Sequence, residues 1–220
     1  MRNLQGVIFD MDGLIFDTEK LYYRATKEIA DEFAIAYDMD IYKRYIGVGD
    51  DEVWAAYHEM YDDLHGEEVI ADFIERSFNR TIELFEAGVA DLKPGLAEIL
   101  AYLDEKQIPR IIASSNQRRI IDILLEKNEL QETFAHIVSF EDVARAKPDP
   151  EIFEKAHQFF DVPKENLLIL EDSKNGILAA HDAGIDVIMI PDLLEPTSDL
   201  IDKSLAVLPT LADVPGFLEK

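Results

Sequence analysis

The chain has 220 residues, with 46 Asp/Glu against 21 Lys/Arg and a formal charge of −25; hydrophobic residues make up 48% of it, 10% being aromatic. The apolar content excludes global disorder, and the charge argues against binding phosphate backbones or anionic lipid surfaces. There is no Cys, which removes disulfides, thiol catalysis and zinc–thiolate sites.

The first predicted element is a short apolar strand over 6–9. The N-terminal run reaches Asp10 too early for the apolar region of a signal peptide, and no stretch approaches the roughly 20 apolar residues of a membrane span. A cytoplasmic protein is therefore expected. Residues 14–90 contain no Pro and repeat apolar positions at helical spacing: Leu21, Ala25, Ile29 and Phe33, then Phe73, Ser77, Phe78, Ile82 and Phe85. This block reads as a helical insertion.

Beyond it, strand-length apolar runs at 110–113, 137–139, 167–170, 187–190 and 206–208 alternate with amphipathic stretches. One stretch holds Leu96, Ile99, Leu100 and Leu103; the next two hold Ile120, Ile121, Leu124 and Leu125, then Ile152, Ala156 and Phe159. Alternating strands and helices imply right-handed crossovers and a parallel sheet covered on both faces. The expected architecture is an α/β, Rossmann-like core of residues 1–13 and 91–220, with a helical cap of residues 14–90.

Open parallel sheets bind ligands outside the carboxyl ends of their strands. Asp10 and Asp12 follow the first predicted strand, Ser114, Ser115 and Asn116 the second, and Glu171, Asp172 and Ser173 the fourth; Lys147 lies in the loop after the third. Singly, each has a plain structural reading. Asp-x-Asp-Gly makes turns, Ser114, Ser115 and the 171–173 run can cap helices, and Lys-Pro-Asp-Pro makes a rigid surface turn. Together, at one sheet edge, they read as chemistry. Four carboxylates need a cation, and hard oxygen ligands suit Mg²⁺. One cation does not use every group, which leaves Asp10 available as a nucleophile and Asp12 as an acid/base. Ser114 can donate to phosphoryl oxygens, and Lys147 can balance their charge.

The segments VIFDMDGLIFDTE at 7–19, IIASSN at 111–116, AKPDP at 146–150 and LEDS at 170–173 occur in that order. In them the chain resembles the haloacid dehalogenase-like phosphohydrolases, in the helical-cap branch similar to β-phosphoglucomutase and phosphoglycolate phosphatase. The resemblance implies Asp10 as nucleophile, Asp12 as general acid/base, and Ser114 and Lys147 on the phosphate, with Ser115 beside them. It also implies Mg²⁺ held by Asp10, the Asp12 carbonyl and Asp172, with Glu171 acting directly or through water. The expected activity is phosphatase action on a small phosphorylated metabolite. The alternatives are a sugar-phosphate mutase and a non-catalytic binding protein.

Weaker signals have plainer readings. Gly47-Val48-Gly49 lacks the third Gly of a dinucleotide fingerprint and reads as a cap-loop turn. The five His have no metal-ligand spacing and are expected at the surface. Trp54, Tyr57 and Tyr61 read as cap core ahead of a substrate wall, and Lys20 and Lys27 as exposed helix lysines ahead of Schiff-base groups. The loop at 47–52 carries Asp50, Asp51 and Glu52 but no Arg, and Tyr22 stands where such mutases place a His. Both observations favour phosphatase over mutase. The sequence leaves the oligomeric state open, with a monomer favoured.

Overall fold

The computed structural model describes residues 3–219. Six parallel strands, β1 (Gly6–Phe9), β2 (Arg110–Ala113), β3 (Ile137–Val138), β4 (Leu167–Glu171), β5 (Val187–Met189) and β6 (Ala206–Val207), form one sheet in the order β3-β2-β1-β4-β5-β6. The four residues of β1 and the five of β4 are all buried, as expected of central strands covered on both faces.

Alternation assigns each strand residue to a side. Val7, Phe9, Leu168 and Leu170 join an apolar layer with α5 (Leu96–Glu105), α6 (Arg118–Lys127) and α10 (Asp213–Leu218). Ile8, Leu167 and Ile169 face the other layer, built from α7 (Glu151–His157), α8 (Lys174–Ala183) and Leu200 of α9 (Ser198–Lys203). The fold is therefore a Rossmann-like α/β sandwich.

Between β1 and α5 lie α1 (Glu19–Glu32), α2 (Met39–Lys43), α3 (Asp50–His65) and α4 (Glu67–Glu86). These helices have a core of their own, in which Ile29, Ala30, Tyr57, Tyr61, Ile70 and Phe73 are buried. Trp54 is only half-buried, edge-on to Phe78. The chain leaves and re-enters the sheet side by side: Asp17 N donates to Asp91 O at 2.9 Å and Lys93 N to Ile15 O at 2.8 Å.

Predicted and observed strands agree to within a residue at their C-terminal ends. Ser139 leaves the β3 ladder because its amide donates to the Asp142 carboxylate at 2.7 Å, closing a capping box on a short 3₁₀ turn. No helix among the described residues is long and apolar enough to cross a membrane.

Candidate active site

Strand order reverses between β1 and β4, and the residues after these strands and after β2 meet at that point. Asp10 follows β1, Glu171 ends β4 with Asp172 behind it, and Ser114 follows β2. Lys147 comes from the loop before α7. All five are buried.

Lys147 is the hub. Its ammonium donates to Asp10 Oδ1 at 2.5 Å, to Glu171 Oε1 at 2.9 Å and to the Ala113 carbonyl at 3.1 Å. Burial alone would lower the pKa of this ammonium, but Asp10 and Glu171 outweigh burial and hold it above its ordinary value. Asp10 shows the opposite balance: burial pushes its carboxyl up to about 8, opposed by Lys147 and assisted by Glu171 and Asp12.

Glu171 has both oxygens engaged, since Oε2 accepts from Ser173 N at 2.7 Å. Its carboxylate lies so close to α8 that a β-carbon at Gly176 would fall 1.5 Å from Oε1. Only glycine fits there. Ser173 also caps α8, its hydroxyl accepting from Gly176 N at 3.0 Å, so the plain capping reading holds for that residue.

Asp12 points elsewhere. Oδ1 accepts from the Thr18 hydroxyl and Oδ2 from Asn116 Nδ2, each at 2.8 Å; Asn116 Nδ2 also donates to the Tyr22 hydroxyl at 2.8 Å. Burial raises the Asp12 carboxyl, with Asn116 and Thr18 opposing. Its carboxylate is thus held between the sheet edge and the start of α1, apart from the Lys147 hub. Ser114 is fully buried, and its hydroxyl accepts from Asn116 N at 3.0 Å. Ser115, beside it, is exposed.

Asp10, Glu171 and Asp172 can bring oxygens within 4.8 Å of one another. Asp172 Oδ1 is buried without a partner, and the Asp172 carboxyl is raised well above its ordinary value by burial and then by Glu171 and Asp10. Three carboxylates facing one ammonium leave an excess of negative charge in a dry place. A divalent cation fits this donor set: the oxygens are hard, and one of them lacks any other partner.

The helices of 19–86 reach the same edge. Asn175 Nδ2 donates to the Gly47 carbonyl, so the Gly-Val-Gly turn rests on the start of α8. Asp50 is open to water yet crowded by protein, and that crowding together with Asp12 raises its carboxyl. Glu19 is buried against Tyr42, whose hydroxyl donates to it at 2.5 Å. Burial pushes the Glu19 carboxyl up to about 7, against the Tyr42 hydrogen bond and with help from Asp12 and Asp192. Lys20 and Lys27 pair with Asp17 and Asp31 at the helix surface.

The sequence singled out Asp10, Asp12, Ser114, Ser115, Lys147, Glu171 and Asp172; all seven lie at this edge, Ser115 alone exposed to solvent. It passed over Thr18, Asn116, Glu19, Lys93 and Asp192. Thr18, Glu19 and Asn116 stood inside the quoted motifs, so their polar side chains were the available signal. Lys93 and Asp192 carried none.

The family model described as haloacid dehalogenase-like hydrolase matches residues 7–190. A phosphorylated carbohydrates phosphatase of Thermotoga maritima is 31% identical over 183 residues, covering 83% of each chain. β-Phosphoglucomutase of Bacillus subtilis is 29% identical over 190 residues, covering 83% of this chain and 81% of that one. The crystal structure of CbbY from Rhodobacter sphaeroides in complex with phosphate superposes with a TM-score of 0.81 at 26% identity, over 96% of both chains. The chain belongs to the haloacid dehalogenase-like hydrolases.

Proposed function

We propose that this hydrolase is a Mg²⁺-dependent phosphatase of small phosphorylated metabolites, sugar or polyol monophosphates in particular, working through an aspartyl-phosphate. The observation that carries the reading is the Lys147 hub: one buried ammonium between Asp10 and Glu171, beside an unpartnered Asp172 oxygen. Lys147 and the Ser114 hydroxyl would bind phosphate oxygens, joined by the exposed turn at Ser115. Asp10 attacks phosphorus in line, and Asp12 protonates the departing alkoxide. Asp12 then takes a proton from the water that hydrolyses the aspartyl-phosphate, releasing phosphate and Asp10. Asp10, Asp172 and the Asp12 carbonyl would hold the cation, with Glu171 acting directly or through water. When bound, Mg²⁺ supplies charge neutralisation at the phosphoryl oxygens.

In this reading residues 14–90 are a cap that covers the phosphate and excludes water, and residues 1–13 with 91–220 are the catalytic core. The two adjacent crossings near Ile15–Asp17 and Asp91–Lys93 would act as the hinge.

The β-phosphoglucomutase relative supports a mutase as the second reading. A mutase must hold two phosphates, and Arg is the side chain best shaped for the distal one. Here the turn resting on α8 leads into Asp50, Asp51 and Glu52, which repel a second phosphate. A panel of sugar and polyol monophosphates tests both readings. Phosphate release without conversion of β-glucose 1-phosphate to glucose 6-phosphate is expected. Isomerisation faster than any hydrolysis would favour the mutase.

A further inference from the structure

The acidic flank of the site extends beyond the motif residues. Asp192 lies just past β5, and Lys93 lies on the strand of chain returning from α4. Lys93 Nζ donates to Asp192 Oδ1 at 2.5 Å, and their side chains are 15% and 7% exposed. The second oxygen, Asp192 Oδ2, is buried with no partner.

That oxygen is aimed at the site. A β-carbon at Gly13 would lie 3.2 Å from Asp192 Oδ2 and 2.3 Å from Asp172 Oδ2. The two carboxylates therefore converge over the Gly13 α-carbon, where φ is +77° and a side chain would be both strained and obstructed. Asp172 Oδ1 is likewise buried without a partner.

Two convergent carboxylates repel, and each buried, unpaired oxygen carries a desolvation cost. Lys93 satisfies one of the oxygens and cannot satisfy the others. A donor with positive charge behind it relieves the repulsion and the unpaired acceptors together. A hydrated divalent cation is such a donor, because Mg²⁺ keeps several waters when bound through one or two carboxylates. Carboxylates around a metal site commonly orient what the ligands hold.

We infer that Asp192 is an outer carboxylate of the divalent-cation site, accepting from water carried by the cation beside Asp172, and that Lys93 is a counter-charge with which the cation competes. The inference rests on the proposed reading in which Asp10 and Asp172 hold the cation. It gives the two partners of one ion pair opposite effects. Asp192 draws the cation in; Lys93 adds competing positive charge nearby.

Calorimetric titration of the metal-stripped full chain with MgCl₂ tests this without turnover. Asp192→Asn should weaken Mg²⁺ binding about 10-fold, the lower end of what outer partners of metal sites contribute. Lys93→Met should tighten it. Asp192→Ser serves as the second variant if the amide disturbs folding. A merely structural ion pair would lower the melting temperature in both variants and leave both isotherms at the wild-type affinity. That result, or weakening by both variants, overturns the inference. Failure of the underlying reading looks different: wild-type protein would bind no Mg²⁺, or would bind it unchanged in Asp172→Asn.

Discussion

The two flanks of Asp10 are built differently. On the Lys147 side every charged group named has a protein partner: the ammonium reaches Asp10, Glu171 and a carbonyl, and the second Glu171 oxygen takes a backbone amide. On the Asp172 side, one oxygen each of Asp172 and Asp192 is buried without a partner. The first flank is complete as folded. The second, in the proposed reading, is completed by a cation. In the proposed reading, a site that must take up both a phosphate and a metal has divided the two tasks between its sides.

The largest expected effect comes from the residue the flanks share. Asp10→Asn should abolish turnover of a chromogenic aryl phosphate while far-UV circular dichroism stays unchanged. Asp12→Asn should cost roughly 10²–10⁴-fold in kcat, the usual worth of general acid–base catalysis.

Stability separates the flanks. Lys147→Met leaves Asp10 and Glu171 buried without their cation and should destabilise the protein by about 3–5 kcal/mol in urea melts at neutral pH. Asp172→Asn puts a neutral amide where burial already raises the carboxyl well above its ordinary value. It should leave the metal-free protein at least as stable as wild type but erase its stabilisation by Mg²⁺. For wild type that stabilisation should be about 2.7 kcal/mol at a hundredfold excess over Kd. Equal losses from both substitutions would erase the distinction.

A separate expected effect is the pH dependence of the metal-free protein. The carboxyls of Asp10 and Glu19 are raised to about 8 and about 7, so the folded state keeps protons that the unfolded chain has released. Stability should fall as pH rises from about 4.5 through 8, then level off. Saturating Mg²⁺ should flatten the Asp10 part of that fall. A metal-free melting temperature that rises between pH 6 and 8 would contradict the assignment.

Much of this was legible in the residues. Strands such as Val7–Phe9 are continuous apolar runs bounded by carboxylates or serines, so both the sheet and its reactive edge could be read locally. The helical block showed in the spacing of Ala25 and Ile29, and of Phe78, Ile82 and Phe85. Pairings across the sheet were not legible. Lys93 and Asp192 are 99 residues apart and meet only because β5 lies two strands from β1. The Asn116–Tyr22 contact spans 94 residues and depends on how α1 returns over β2. Gly176 was equally silent, because its reason is the Glu171 carboxylate above it rather than any turn of its own chain.

The most direct test of the central claim is whether the phosphoryl group passes through Asp10. Asp12→Asn slows hydrolysis of an aspartyl-phosphate but does not prevent its formation from a donor with a good leaving group. Incubated with 4-nitrophenyl phosphate and Mg²⁺, quenched in acid and digested, this variant should carry one phosphoryl group on the peptide containing Asp10. The Asp10→Asn protein should carry none. A wild-type enzyme that releases phosphate while the trapped variant carries no phosphoryl group, or carries it on Ser114, would contradict the account.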